Sequence, residues 1–234
     1  MTSSIATAIA SHDKAAVVET IKANPTWETI NELGDTFVEL AKEKPYESQR
    51  LATILAELKN DPDVPLIKSL DSNRQLVEEP YSQAVNAIVL DLLKWVFSDE
   101  PPAIEPTNPY LAAALISGAC VRTGLCNSSV QSGEITAGLR FEGTKWQELI
   151  PNELAEVCAI HAVLHLLAGG SRIYREEQIG YRQNEVLPAL KAIAEQNVIV
   201  NPEGKQLLQA AIAEAETGFE RDIPLADIWK ILFP

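Results

Sequence analysis

The chain reads as all-α: an irregular multi-helix bundle or short helical array, with a small β element around residues 130–142. Three observations predict this. Asn24-Pro25, Asn108-Pro109, Asn201-Pro202 and Asp61-Pro62 each precede a run of helically spaced apolar residues. In such a pair the Asn or Asp side chain accepts from an otherwise orphaned N–H, and proline fits the first helical position because it has no N–H to lose. Aromatic residues make up only 6% of the chain while Ala and Leu are plentiful, a balance that favours helix over sheet. Two segments also carry clear amphipathic stripes, Trp27, Ile30, Leu33, Phe37 and Leu40 in one and Val85, Ile88, Val89, Leu92, Leu93 and Val96 in the other.

Taken in order, these signals predict helices over 3–23, 26–43, 46–60, 63–70, 80–98, 109–123, 152–168, 172–180, 184–196, 202–219 and 225–232. The helix at 109–123 differs from the others. Ala112, Ala113, Ala114, Ser117, Gly118 and Ala119 leave its surface nearly bare, which allows another helix to approach closely. Pro101-Pro102 and Pro106 cannot continue a helix, so 99–108 reads as a connector between an acidic N-terminal lobe, 1–98, and a C-terminal helical domain, 109–234. Within 124–150, Ile135, Ala137, Leu139 and Phe141 alternate with Thr136, Gly138, Arg140 and Glu142, the pattern of one half-buried strand. Its partner is not evident; Val198-Ile199-Val200, residues near Val130 and a second subunit are all compatible. No fixed repeat period and no low-complexity tract is present.

The centre of the chain differs in composition from its flanks. All three cysteines, two of the three histidines and five of the eight arginines fall within 101–182. That segment carries 6 Lys+Arg against 8 Asp+Glu, whereas residues 1–100 carry 9 against 17 and residues 183–234 carry 4 against 8. The net charge of −14 argues against nucleic acid, because phosphate-backbone affinity comes from clustered Lys and Arg. An anionic membrane surface would repel the chain for the same reason. A basic protein partner suits it better, and a second copy of the chain is a further candidate. Three cysteines without a Cys-x-x-Cys spacing suit a reducing compartment. Met1-Thr-Ser-Ser-Ile-Ala lacks a basic, then apolar, leader pattern, and the charge-free apolar runs look short for a membrane span. The expectation is a soluble, cytoplasmic protein.

Candidate chemistry concentrates in Cys158-Ala-Ile-His161-Ala-Val-Leu-His165. At 100° per residue these three side chains fall within roughly 60° of one another. Histidines at i and i+4 stack on one helix face with Cβ atoms ~5–6 Å apart, a spacing that suits two ligands of zinc or iron with Cys158 as a third. The partners such sites require are missing. A zincin needs Glu after the first histidine, where Ala162 stands, and a di-iron bundle needs Glu three residues before each histidine, where Cys158 and Ala162 stand. From Val157 to Ala168 no residue is charged, so this helix is expected at the centre of the fold, with both imidazoles hydrogen-bonded to protein groups or to a ligand such as a tetrapyrrole.

Next comes Ala168-Gly169-Gly170-Ser171-Arg172-Ile173-Tyr174-Arg175. The glycines end one helix and Ser171 can cap the next, so Arg172 and Arg175 would sit near a helix N-terminus able to hold an anion. Arg122 and Arg140 are further candidates for the same place. No Walker sequence, Gly-x-Ser-x-Gly elbow or dinucleotide fingerprint occurs. Cys126, in the loop after Gly124, has no local signature of a reactive thiol. With no complete catalytic set, the leading expectation is a non-enzymatic, cytosolic protein-interaction protein, an adaptor or assembly factor without a cofactor. The alternative is a small-molecule, tetrapyrrole or metal-binding protein or enzyme, with a pocket around His161, His165 and the arginines.

Overall fold

The computed structural model describes residues 4–92, 103–126, 152–175 and 183–234. Among them are ten α-helices and one two-stranded antiparallel sheet, as an all-α chain with a small β element requires. The β element is not the predicted one. The alternating segment near 130–142 lies outside the described residues, and the observed hairpin comes much earlier.

The first predicted helix divides in two. Helix α1 (Ser4–Ala10) ends where His12 takes a left-handed φ of 59°, and the Asp13 carboxylate accepts from the Ala16 N–H at 3.0 Å to begin α2 (Lys14–Ala23). Thr26 caps α3 (Trp27–Glu43), whose Ile30, Leu33 and Phe37 are wholly buried. A 3₁₀ turn at Pro45–Glu47 leads into α4 (Ser48–Glu57), and a second 3₁₀ turn follows at Leu58–Asn60.

Strands β1 (Ile67–Leu70) and β2 (Leu76–Glu79) then form a hairpin where 63–70 reads as helical. The physical reason lies in the turn. The Asp71 carboxylate accepts from the N–H groups of Asn73 and Gln75 at 2.9 and 2.8 Å, and Arg74 takes φ 61°. Such side-chain bonds give the backbone an alternative to helix. Pro62 and Pro65 also leave too short a run for a helix to propagate.

Helix α5 (Tyr81–Leu92) returns across α3. Asn108 accepts from the Tyr110 N–H at 2.8 Å and donates to the Ala103 carbonyl at 2.6 Å, which fixes the start of α6 (Pro109–Thr123). Gly124, at φ 80°, ends it. Helix α7 (Asn152–Arg175) turns sharply at Gly170, whose φ and ψ of 55° and −140° suit glycine alone. Helices α8 (Gln183–Glu195), α9 (Pro202–Glu216) and α10 (Leu225–Leu232) complete the chain. Val198-Ile199-Val200 forms no strand; the N–H groups of Val200 and Asn201 both donate to Glu156 Oε1, tying that link to α7.

The α6–α7 pair is the centre of the molecule. Helix α6 packs on α3, α4 and the Pro45–Glu47 turn on one side and on α7 on the other, and α7 packs in turn on α9 and α10. Buried apolar side chains from Ile5 to Leu232 form one continuous cluster. The bare surface of α6 serves the close approach its composition predicts: a Cβ on Gly118 would stand 2.5 Å from Ala168 Cβ and 2.8 Å from the His165 carbonyl oxygen. The 19-residue stretch Leu154–Arg172 has a mean hydropathy of 1.5, enough by length and composition to cross a bilayer, although the sequence runs look too short. In this fold 78% of that window is buried within the protein.

Candidate functional site

Two places stand out, an imidazole pair inside the α6–α7 interface and an apolar face on the hairpin. The pair follows from helical spacing, but its partners come from α6. His161 stacks on the Tyr110 ring, with centroids 3.9 Å apart and planes inclined by 17°. Its Nδ1 lies 2.9 Å from the Tyr110 carbonyl oxygen. A carbonyl only accepts, so His161 Nδ1 carries the hydrogen and Nε2 holds the lone pair. His165 is fully buried, and its Nδ1 lies 3.1 Å from Ser117 Oγ. Ser117 Oγ donates back to the Ala114 carbonyl at 3.2 Å, which leaves its lone pairs to receive the His165 Nδ1–H. In that arrangement His165 Nε2 is an unprotonated acceptor, and it has no hydrogen-bond partner.

The electrostatics follow from burial. Removal from water pushes the His161 imidazolium down to about 4, against the opposing effect of the Tyr110 carbonyl. Burial and then the neighbouring His161 push His165 down to about 3. Both rings are therefore neutral near pH 7. They can accept hydrogen bonds there, but they sit far below the range in which an imidazole exchanges protons efficiently at that pH. The two rings lie 6.4 Å apart, edge to face. Cys158 Sγ stands 4.0 Å from the Tyr110 hydroxyl. Among the described residues no group of three or more His, Cys, Asp or Glu is disposed to hold a metal ion.

The arginines do not gather around the imidazoles. Arg122, largely buried, donates to the Leu167 carbonyl at 2.8 Å and the Ile223 carbonyl at 2.7 Å, bracing the end of α7 against the segment before α10. Burial holds its guanidinium below the ordinary range, with Asp222 opposing that shift. Arg172 is exposed and lies over Gly124. The helical turn that restarts after Gly170 already has an anion, because Asp222 Oδ1 accepts from the Ser171 N–H at 2.9 Å. Arg175 closes α7, with a side chain outside the described set, and Arg140 lies outside the described residues.

The hairpin face has no counterpart among the predicted site residues. Leu66, Leu70, Leu76 and Val77 are 51, 66, 67 and 37% exposed. Leu70 and Leu76 are direct cross-strand partners. Beside them a shallow groove of ≈ 570 Å³ is lined by Trp27, Glu28, Lys68, Leu70, Leu76 and Glu79, among others. Glu28, in the first turn of α3, is held below the usual carboxylate range by its own backbone N–H and by Thr26, so it is charged at neutral pH. The sequence signal that marks this hairpin is the Asp71-Ser-Asn-Arg turn between two short apolar runs.

Comparison with protein-family models, with curated proteins and with solved structures found no match for the chain.

Proposed function

We propose that this chain is a non-enzymatic, cytosolic protein-interaction protein, an adaptor or assembly factor that docks a basic or amphipathic partner on its acidic N-terminal half. The observation that carries this reading is the exposed cross-strand pair Leu70 and Leu76 on one face of the hairpin, beside a groove that both of them line, with Leu66 exposed just before β1. Scattered surface leucines are ordinary, but an exposed cross-strand leucine pair lining a charged groove suits a contact site. The strong negative charge favours a positively charged partner and speeds its encounter. Imidazoles that are neutral near pH 7 speak against acid–base catalysis by His161 and His165 themselves.

The test compares wild type with a Leu70→Ser, Leu76→Ser variant. Both residues are on the surface, so the fold should persist by far-UV circular dichroism. Wild type should retain a partner through size exclusion with light scattering, and the variant should lose it. Equal retention by both, or none by either across a range of salt, would reject the reading.

A second reading rests on His165 Nε2, an unpartnered acceptor inside the core. A ligand offering a single hydrogen-bond donor would satisfy it, which would make the α6–α7 interface a small-molecule site bordered by His161 and His165. An absorption spectrum and native mass of the purified protein test this. A colourless protein of bare-chain mass, whose His165 variants change stability alone, would dismiss it.

A further inference from the structure

We propose that the open edge of β2 receives an extended, basic segment of the partner as a third strand. This deepens the protein-interaction reading and rests on it. The ladder shows which backbone groups are available. Asp71 N–H donates to the Gln75 carbonyl at 2.9 Å, so 71 and 75 are a hydrogen-bonded pair. Bonded and non-bonded pairs alternate in an antiparallel ladder, and the register pairs Leu70 with Leu76, Ser69 with Val77, Lys68 with Glu78 and Ile67 with Glu79. Val77 and Glu79 therefore face β1 with their backbone groups, while Leu76 and Glu78 turn theirs outward. The same parity turns Lys68 outward on the other side of the hairpin. There its N–H donates to the Pro25 carbonyl at 2.8 Å, and Thr26 forms a parallel bridge with Lys68. The β1 edge is thus covered by the chain itself, whereas among the described residues nothing pairs with the β2 edge, where Leu76, Val77 and Glu78 are all exposed.

An unpaired edge carrying two exposed apolar side chains can template pairing with an incoming strand. Strand addition supplies affinity from main-chain bonds and selectivity from alternate side chains. Glu78 and Glu79 lie adjacent on β2, one on each face of the ladder, and the whole chain carries −14. These charges select lysine or arginine in the incoming strand. They also disfavour a second copy of this chain, whose own Glu78 and Glu79 would be brought against the first pair. Leu76 would receive an apolar residue on one face of the added strand and Glu79 a basic residue on the other, so that apolar and basic residues alternate along it.

The test uses the intact protein and a capped synthetic peptide of alternating lysine and valine. Amide exchange should slow at Leu76 and Glu78 when the peptide binds, and hardly change at Val77 and Glu79. Methylating the amide nitrogens along one edge of the peptide should weaken binding about tenfold or more, the equivalent of losing one or two backbone bonds. Glu78→Pro removes an outward donor without touching the ladder, so it should weaken binding similarly, as should Glu78→Lys with Glu79→Lys. A peptide that does not bind at millimolar concentration overturns the proposal, and so does one indifferent to methylation. If the Leu70→Ser, Leu76→Ser variant loses its partner while Glu78→Pro keeps it, strand addition fails and apolar docking stands. If light scattering shows a wild-type dimer that Glu78→Pro abolishes, the edge belongs to a second copy and the basic-partner assignment falls.

Discussion

Ser117 Oγ and His165 Nδ1 meet 3.1 Å apart, beside the close contact of α6 and α7 at Gly118. The bond holds a buried imidazole at one nitrogen and leaves the other with nothing to accept from. Ser117→Ala strands His165 Nδ1 as well, and should cost about 1–3 kcal/mol. His165→Leu instead removes both polar atoms at nearly constant volume and should cost less than about 1.5 kcal/mol. Combining the two should be no worse than His165→Leu alone, because the shared contact is already gone. Urea unfolding of the three variants checks this. A neutral Ser117→Ala beside a severely damaging His165→Leu would mean that Nε2 has a bound partner after all.

The same imidazoles predict how stability depends on pH. An unfolded chain takes up these protons near 6.5, whereas the folded chain takes them up near 4 at His161 and near 3 at His165. Between those values the unfolded state binds more protons, so stability rises with pH there. The stabilisation is complete above about pH 7 and declines as pH falls through 6.5 toward 4, by up to about 1.4 kcal/mol per pH unit for each histidine. Denaturation of wild type and His165→Leu at pH 7.5 and pH 5 separates this effect from that of the carboxylates. The wild type should lose more stability over that interval, and equal losses would contradict burial as the cause.

Gly118 sets the spacing of the central helices. A methyl group there meets the Ala168 Cβ and the backbone of Gly169 and His165, none of which is the movable end of a flexible side chain. Gly118→Ala should therefore destabilise the fold by about 1–3 kcal/mol despite alanine's better helix propensity. Adding Ala168→Gly should recover part of the loss, since only one of the three contacts disappears. Thermal unfolding reads both effects.

Asp222 joins α7 to the segment before α10. Its carboxylate caps the Ser171 N–H and lies near the partly buried Arg122 guanidinium. Asp222→Ala should cost about 1 kcal/mol from the lost cap alone. Asp222→Asn keeps an acceptor and should cost less. Hydrogen exchange at Ser171 and Arg172 should accelerate in the alanine variant while α9 stays protected; unchanged exchange would argue against the cap.

Much of the helical framework is legible in the chain because its boundary signals are local. Asn108-Pro109 and Gly124 bracket α6 at the predicted 109–123, and α10 occupies the predicted 225–232. The placement of the uncharged histidine helix at the centre also follows from composition, since a helix without charge has no face to offer water. The hairpin is illegible by periodicity because each strand has only four residues and its turn depends on one carboxylate. The break at His12 is similar, a single capping aspartate within a run that otherwise reads as one helix.

By itself, the sequence determined the helical class, the starts of most helices and the small-residue face of α6, because caps, proline and side-chain size act within a few residues. Only the tertiary structure decided what the imidazoles touch. Ser117 and Tyr110 stand 48 and 51 residues from their histidine partners, and no local pattern encodes a contact made across that distance. It also decided that the β1 edge of the hairpin is covered while no described residue pairs with the β2 edge, since that cover depends on where Pro25 and Thr26 come to lie once α3 has packed.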